Sequence, residues 1–256
     1  MDIVVVLGMH KSGTSLVAET LHHSGIAMVE ALKDGGYDKG EKYERRESGA
    51  INKALLNAEN AYSLDVRTEL DPKDADKALV ARARTMIEAL DARGEDWGFK
   101  DPRTCMTWDV WKPLLPAHRL VCVFRDVEEV HHRYRHKPMF SAHRSLDAWV
   151  RYNEAMLRAY EAAPADARLL VDYRDLMEGE GMAALSAFLG RPLIDRRIPS
   201  MRRNSKPPML RTRWEALLYR LRTGRSVWAL NGELRRLARS PRRPGADSRA
   251  APAPRP

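Results

Sequence analysis

The chain is poor in the residues that define several protein classes. It holds two cysteines in 256 residues, Cys105 and Cys122, which excludes a disulfide framework and fits a reducing compartment. Cys122 lies inside an apolar run and reads as a small core residue. No stretch approaches the ~20 apolar residues needed to cross a bilayer. The apolar run at the start is short and is needed for a first strand, so it does not read as a secretory signal. Internal repeats are missing too. The expectation is a cytoplasmic protein whose contact with a membrane, if any, is peripheral and made through its basic end. A chain of this length holds one substantial α/β domain plus an appendage.

Basic character is also scarce where a nucleic-acid binder would need it. The formal charge is +9, yet residues 201–256 carry 15 Lys/Arg against 3 Asp/Glu, a net +12, which leaves −3 for residues 1–200. Nucleic-acid-binding domains concentrate positive charge on the folded body, so no nucleic-acid partner is expected.

What is present centres on one stretch, Gly8-Met9-His10-Lys11-Ser12-Gly13-Thr14-Ser15. It follows Ile3-Val4-Val5-Val6-Leu7, an unbroken apolar run that reads as a strand buried on both faces. Leu16, Val17, Thr20 and Leu21 then recur at helical spacing. The glycines therefore sit at a strand-to-helix turn. There the first backbone N–H groups of the helix lack intrahelical partners, and the positive end of the dipole favours an anion, best a phosphate. Ser12, Thr14 and Ser15 add hydroxyls and Lys11 adds a charge.

A lysine in the nucleotide-hydrolase position is lacking. The Walker A loop reads G-x-x-x-x-G-K-[ST]; Gly8 and Gly13 have that spacing, but Thr14 stands where the lysine should be. Lys11, two residues before the second glycine, is placed for the end of a terminal 5′ group rather than for β- and γ-phosphates. The best later strand ends Val123-Phe124-Arg125-Asp126, not in a Walker B aspartate. Hydrolysis of ATP or GTP is disfavoured. The order strand, G-x-x-K-S-G-T-S, helix instead resembles the 5′-phosphosulfate loop of sulfotransferases that use 3′-phosphoadenosine 5′-phosphosulfate (PAPS).

The resemblance continues over roughly residues 2–205. Trp97-Gly98-Phe99-Lys100-Asp101-Pro102-Arg103 reads as a short strand broken at proline. In an open α/β sheet, ligands bind beyond the carboxyl ends of the strands, which brings Lys100 to the same edge as Lys11. The W-G-x-K-D-P-R pattern is similar to one in bacterial and tyrosylprotein sulfotransferases, where the lysine contacts the transferring sulfonate or its bridging oxygen. A charge cluster that only stabilises the turn is the alternative. Arg119 to Phe124 is a strong buried strand, and Arg125 matches the family's 3′-phosphate arginine. Eight residues on, Arg133 replaces the family's serine; an arginine can serve a phosphate by bidentate hydrogen bonds. Ser200-Met201-Arg202-Arg203-Asn204 fits the family's second 3′-phosphate loop in order and charge. Glu44, just before a helix carrying Ile51, Leu55 and Leu56, matches the acceptor-side carboxylate and is the candidate general base, or else a solvated carboxylate favoured by the helix dipole.

Other elements read as scaffold. Helices are expected from Asp71-Pro72 to Arg93-Gly94, from Met106 to Leu115 with Trp108 and Trp111 inward, from Asp126 to about His136, from Ser145 to about Ala163 and from Leu176 to Leu189. A strand is expected at Arg168–Tyr173. The helix after Asp126 carries His131, His132 and His136; His132 and His136 have an i,i+4 spacing able to hold a metal, but no third ligand pattern accompanies them. No metal is expected, and solvated or acceptor-facing histidines are the commoner reading. Residues 206–240 read as a basic extension of one or two amphipathic helices, with Trp214, Leu217, Leu218 and Leu221, then Val227, Trp228, Leu230, Leu234 and Leu237, interleaved with arginines. Such a face suits an anionic membrane, packing on the domain, or assembly. Residues 241–256, rich in Pro, Ala and Arg, are expected to be disordered.

The resemblance implies a P-loop NTPase-like three-layer α/β/α fold with a central parallel sheet and a basic helical C-terminal appendage. It implies sulfonate transfer from PAPS, without metal, to a hydroxyl or amine of a small-molecule, glycan or lipid acceptor. Lys11 and Lys100 would stabilise charge, and Glu44 would take the proton. His10, Lys11, Ser12, Gly13, Thr14, Ser15, Arg125, Arg133, Arg202 and Arg203 would hold the donor. Two rivals stand beside it: a P-loop kinase or NTPase, and a non-catalytic module that keeps the fold.

Overall fold

The computed structural model describes residues 1–31, 36–40, 42–56, 70–135, 141–198 and 209–240. Four parallel strands, β1 (Ile3–Leu7), β2 (Trp97–Lys100), β3 (Arg119–Phe124) and β4 (Arg168–Asp172), form a sheet in the order β2-β1-β3-β4. Val4 pairs in register with both Gly98 and Arg119, so β1 is central. Its five residues are all buried, as expected for a strand covered on both faces.

Alternation along the strands feeds two cores. Val5, Leu7, Phe99, Leu120, Cys122 and Phe124 join one; Val4, Val6, Val121, Val123 and Val171 join the other. Helices α1 (Thr14–His23), α7 (Tyr173–Glu178) and α8 (Glu180–Leu189) cover the second face. The first is covered by α2 (Arg46–Leu55), α3 (Lys77–Asp91), α4 (Thr104–Trp111), α5 (Val127–Arg135) and α6 (Ala142–Ala162). The three-layer α/β/α architecture is therefore observed. Because α1 and α5 leave adjacent strands toward opposite faces, a crevice opens between the ends of β1 and β3. That is the switch point where doubly wound sheets bind ligands.

Local boundaries differ from the sequence expectation for identifiable reasons. The helix anticipated from Pro72 begins at Lys77 instead. Asp71 caps a separate 3-10 turn by accepting from Lys73 N at 2.9 Å, and Asp76 caps α3 by accepting from Ala78 N at 2.7 Å. Tyr173 opens α7 rather than ending the strand, since Asp172 accepts from Arg174 N at 2.9 Å. The helix expected from Leu176 to Leu189 is broken at Gly179, whose φ is 112°.

The basic C-terminal residues form α9 (Met209–Thr223) and α10 (Val227–Arg239). Ala216, Tyr219, Val227, Leu230 and Leu234 are buried in the first core. Polar ties reach the start of α5: Asn231 accepts from Val127 N at 3.3 Å and donates to Asp126 at 3.1 Å, and Arg235 donates to the same carboxylate oxygen at 2.5 Å. Thus α10 braces the loop that carries Arg125. The segment from 241 onward lies outside the described residues. Asn231→Ala removes both amide hydrogen bonds and orphans a buried donor, so we expect a destabilisation of about 2 kcal/mol in urea denaturation. An unchanged midpoint would show that α10 does not support the loop.

Candidate active site

The loop after β1 is shaped by two close approaches. A Cβ on Gly8 would lie 2.3 Å from the carbonyl oxygen of Val123 in β3, so only glycine lets the loop cross the strand end. Gly13 has a φ of 98°, and a Cβ there would meet the Tyr173 ring at 2.4 Å. Lys11 itself takes a positive φ of 68°, a strained state that tends to collect at functional sites. Gly13 is the N-cap of α1, with no side-chain cap and no acidic residue in the first turn. The helix thus presents its N-terminal amides and dipole without a competing carboxylate.

Around this loop lies a cleft of about 380 Å³ lined by His10, Lys11, Gly13, Thr14, Ser15, Glu44, Lys100, Arg125 and Arg133. Ser12 is fully buried in the loop, and neither its Oγ nor His10 Nε2 has a hydrogen-bond partner among the described residues. Burial, reinforced by the cations Arg103, Lys100 and Lys11, pushes the imidazole of His10 well below its ordinary 6.5. His10 is therefore neutral at pH 7 and able to donate or accept one hydrogen bond there. Unsatisfied buried polar atoms beside an uncapped helix N-terminus and several cations fit an anionic group of phosphate or sulfate type.

Lys100 comes from the end of β2. Its side chain is 1 % exposed, and Nζ donates to Glu44 Oε1 at 2.9 Å and to Ser15 Oγ at 3.3 Å. Asp101 is likewise buried and accepts from Arg103 N and Nε at 2.8 Å and from its terminal nitrogen at 2.6 Å. That same Arg103 nitrogen is 4.0 Å from Glu44 Oε2. The K-D-P-R segment is thus a buried scaffold aimed at the loop, not a surface charge cluster. Burial pushes the Lys100 ammonium below its ordinary 10.5, with Glu44 opposing the shift.

Arg125, from the end of β3, closes the other side. Its guanidinium lies 4.1 Å from the centroid of the Tyr173 ring and donates to Lys11 O at 3.5 Å. It also pairs with Glu129 on the next turn at 2.6 Å through both Nε and a terminal nitrogen. Arg133 reaches the same cleft from α5. Arg202 and Arg203 lie outside the described residues.

The profile of the sulfotransferase family matches residues 3–195. The chain belongs to the sulfotransferase family. No curated protein shows a significant match. Among solved structures, the chain is similar to the sulfotransferase domain from the Synechococcus PCC 7002 olefin synthase, with 17% identity over 96% of this chain and 90% of that one, at a TM-score of 0.50. It is also similar to the sulfotransferase STF1 from Mycobacterium tuberculosis H37Rv, with 16% identity over 91% and 76% of the two chains and a TM-score of 0.46. A third is the sulfotransferase domain from the curacin biosynthetic pathway, with 13% identity, 75% and 74% coverage and a TM-score of 0.45. The fold is P-loop-like, as the first of these shows.

Cleft residues of this sulfotransferase that were not singled out from sequence as site residues include Tyr37, Asp38, Gly40, Lys42 and Tyr173. Tyr173 had a legible signal, the strand-Y-x-D-L step after β4, but its contact with Gly13 needs the sheet to be assembled. Among the expected histidines, His131 departs from expectation. His131 is neither solvated nor facing the acceptor; it is buried, 2.6 Å from Ser145 Oγ and 2.7 Å from Glu215 Oε2. His136 lies outside the described residues, and no cluster able to hold a metal occurs among those described.

Because the folded pKa of Lys100 is lowered, the unfolded chain binds more protons, and stability rises with pH between the folded value and 10.5. Below that window the buried ammonium is a cost. Lys100→Met carries no titrating group at this place and is therefore expected to flatten the rise of melting temperature with pH below 10.5, while lowering activity. An unchanged pH dependence in the variant would show that another group sets it.

Proposed function

We propose that this sulfotransferase moves the sulfonate of PAPS to a hydroxyl or amine, leaving adenosine 3′,5′-bisphosphate. The observation that carries the reading is the convergence on one cleft of the uncapped loop at α1, the buried Lys100 with its partner Glu44, and Arg125. PAPS, when bound, supplies the activated sulfonate. The loop residues from His10 to Ser15 would hold its 5′ end, with Ser12 Oγ and His10 Nε2 finding the partners they lack. Arg125 and Arg133 would recognise the 3′-phosphate by charge-assisted hydrogen bonds.

Within that arrangement each residue has a distinct task. Lys100 Nζ, already 3.3 Å from Ser15 Oγ, would neutralise charge developing on the bridging oxygen, with Lys11 beside it. Preorganised donors of this kind contribute ~3–4 kcal/mol each in a water-poor site. Glu44 would take the acceptor proton. Since Oε1 is engaged by Lys100 at 2.9 Å, Oε2 is the oxygen placed to receive it. The acceptor, of small-molecule, glycan or lipid type, would enter past Glu44 and Lys42.

The reading favours the bisphosphate over a nucleoside diphosphate. Calorimetry without metal is expected to show binding of adenosine 3′,5′-bisphosphate and weaker binding of ADP; a preference for ADP would favour a kinase-like P-loop protein instead. Lys100→Ala and Glu44→Gln are each expected to lower kcat about a hundredfold or more with little loss of bisphosphate affinity. Unchanged turnover in either would remove that residue from the chemistry. Glu129 competes with a 3′-phosphate for Arg125, so Glu129→Gln is expected to tighten bisphosphate binding about fivefold. Weaker binding would mean that Glu129 positions Arg125 for the phosphate.

A further inference from the structure

The outward side of α9 is unlike the rest of the surface. Eight large hydrophobic side chains are exposed among the described residues, and five of them lie on this helix: Leu210, Trp214, Leu217, Leu218 and Leu221, at 84, 61, 45, 36 and 74 % exposure. Their spacing of 4, 3, 1 and 3 residues traces a stripe about 100° wide. Thr212, Ala216 and Tyr219, buried against the core, lie on the opposite side of the same helix. One helix thus carries two apolar faces, and only one of them is covered. Trp228, past the turn at Gly224, is exposed as well, at 38 %.

Charge says what would cover it. By helical geometry Arg211 and Arg222 flank the stripe on one side, and Arg213 and Arg220 on the other. The one carboxylate of α9, Glu215, is turned inward, 2.7 Å from His131 Nε2 and 3.0 Å from Arg211 Nε. A second copy docked face to face would set arginine flanks against each other with no exposed carboxylate on either helix. An apolar ridge with tryptophan, edged by arginines whose stems can lie along it while their heads stay wet, matches the boundary between headgroups and acyl chains. We propose that this face docks on an anionic lipid bilayer, with α9 lying along the surface and no element crossing it. No helix among the described residues is long and apolar enough to span a membrane. His131 and Tyr219 fix the helix from beneath: Tyr219 donates to Asp147 at 3.1 Å, so the apolar face is held outward on the folded domain.

The test uses the full chain and vesicles of phosphatidylcholine with phosphatidylglycerol, against phosphatidylcholine alone. The wild type is expected to co-sediment with the anionic vesicles and to be released by salt. The double variant Trp214→Glu, Leu221→Glu replaces two exposed side chains and is expected to lose binding at least tenfold, with an unchanged far-ultraviolet circular dichroism spectrum and melting temperature. Arg213→Gln and Arg220→Gln are each expected to weaken it about fivefold. Equal binding to neutral and anionic vesicles would overturn the proposal, as would no binding. Binding that survives the double variant would assign attachment to the arginine-rich residues after 240 and overturn it too. So would a wild-type dimer in light scattering that the double variant converts to monomer.

Discussion

Everything at the cleft depends on how closely the loop after β1 can lie against its neighbours. Gly8 crosses the end of β3 where a methyl group would collide with the Val123 carbonyl, and Gly13 rests on the Tyr173 ring. These two contacts bring the start of α1 to the meeting point of three strand ends. Lys100 from β2, Arg125 from β3 and Tyr173 after β4 then face one set of backbone amides. A looser loop would hold the same residues but separate the lysine from the arginine.

The cost of this arrangement is concentrated in buried charge. Lys100, Asp101, Arg103 and Arg125 are all buried, and interiors tolerate such groups only when each finds a partner. The partners form a chain: Ser15 and Glu44 take Lys100, Asp101 takes Arg103, and Glu129 takes Arg125. Each pairing fixes a side chain before any ligand arrives, as preorganised electrostatics requires. The Arg125–Glu129 pair differs from the others, because its carboxylate occupies the donors that a phosphate would use.

The C-terminal helices tie the site to the rest of the chain. α10 secures the start of α5 through Asp126, and α9 receives His131 from the middle of that helix. The helix bearing Arg133 is thereby held from two directions. The same packing that buries Ala216 and Tyr219 leaves the opposite stripe of α9 facing outward.

What the amino-acid order determined by itself is the local chemistry. The apolar run before Gly8, the glycine spacing, Lys11 in place of the hydrolase lysine, the W-G-F-K-D-P-R break and the strand ending in Arg125 were legible, because each depends on neighbours within a few residues. Strand and helix identities followed from periodicity, with errors where an aspartate cap or Gly179 moved a boundary. Tertiary structure decided the rest. That Tyr173 supports Gly13, that Glu44 pairs with Lys100 across 56 positions, and that His131 meets Glu215 rather than solvent are long-range contacts that no local pattern encodes. The C-terminal helices make the point most directly. Their apolar residues recur with one helical period, yet Leu230 and Leu234 are buried while Trp214 and Leu221 are exposed. Periodicity marks which side chains share a face; only the packing of that face against another element says whether it is covered.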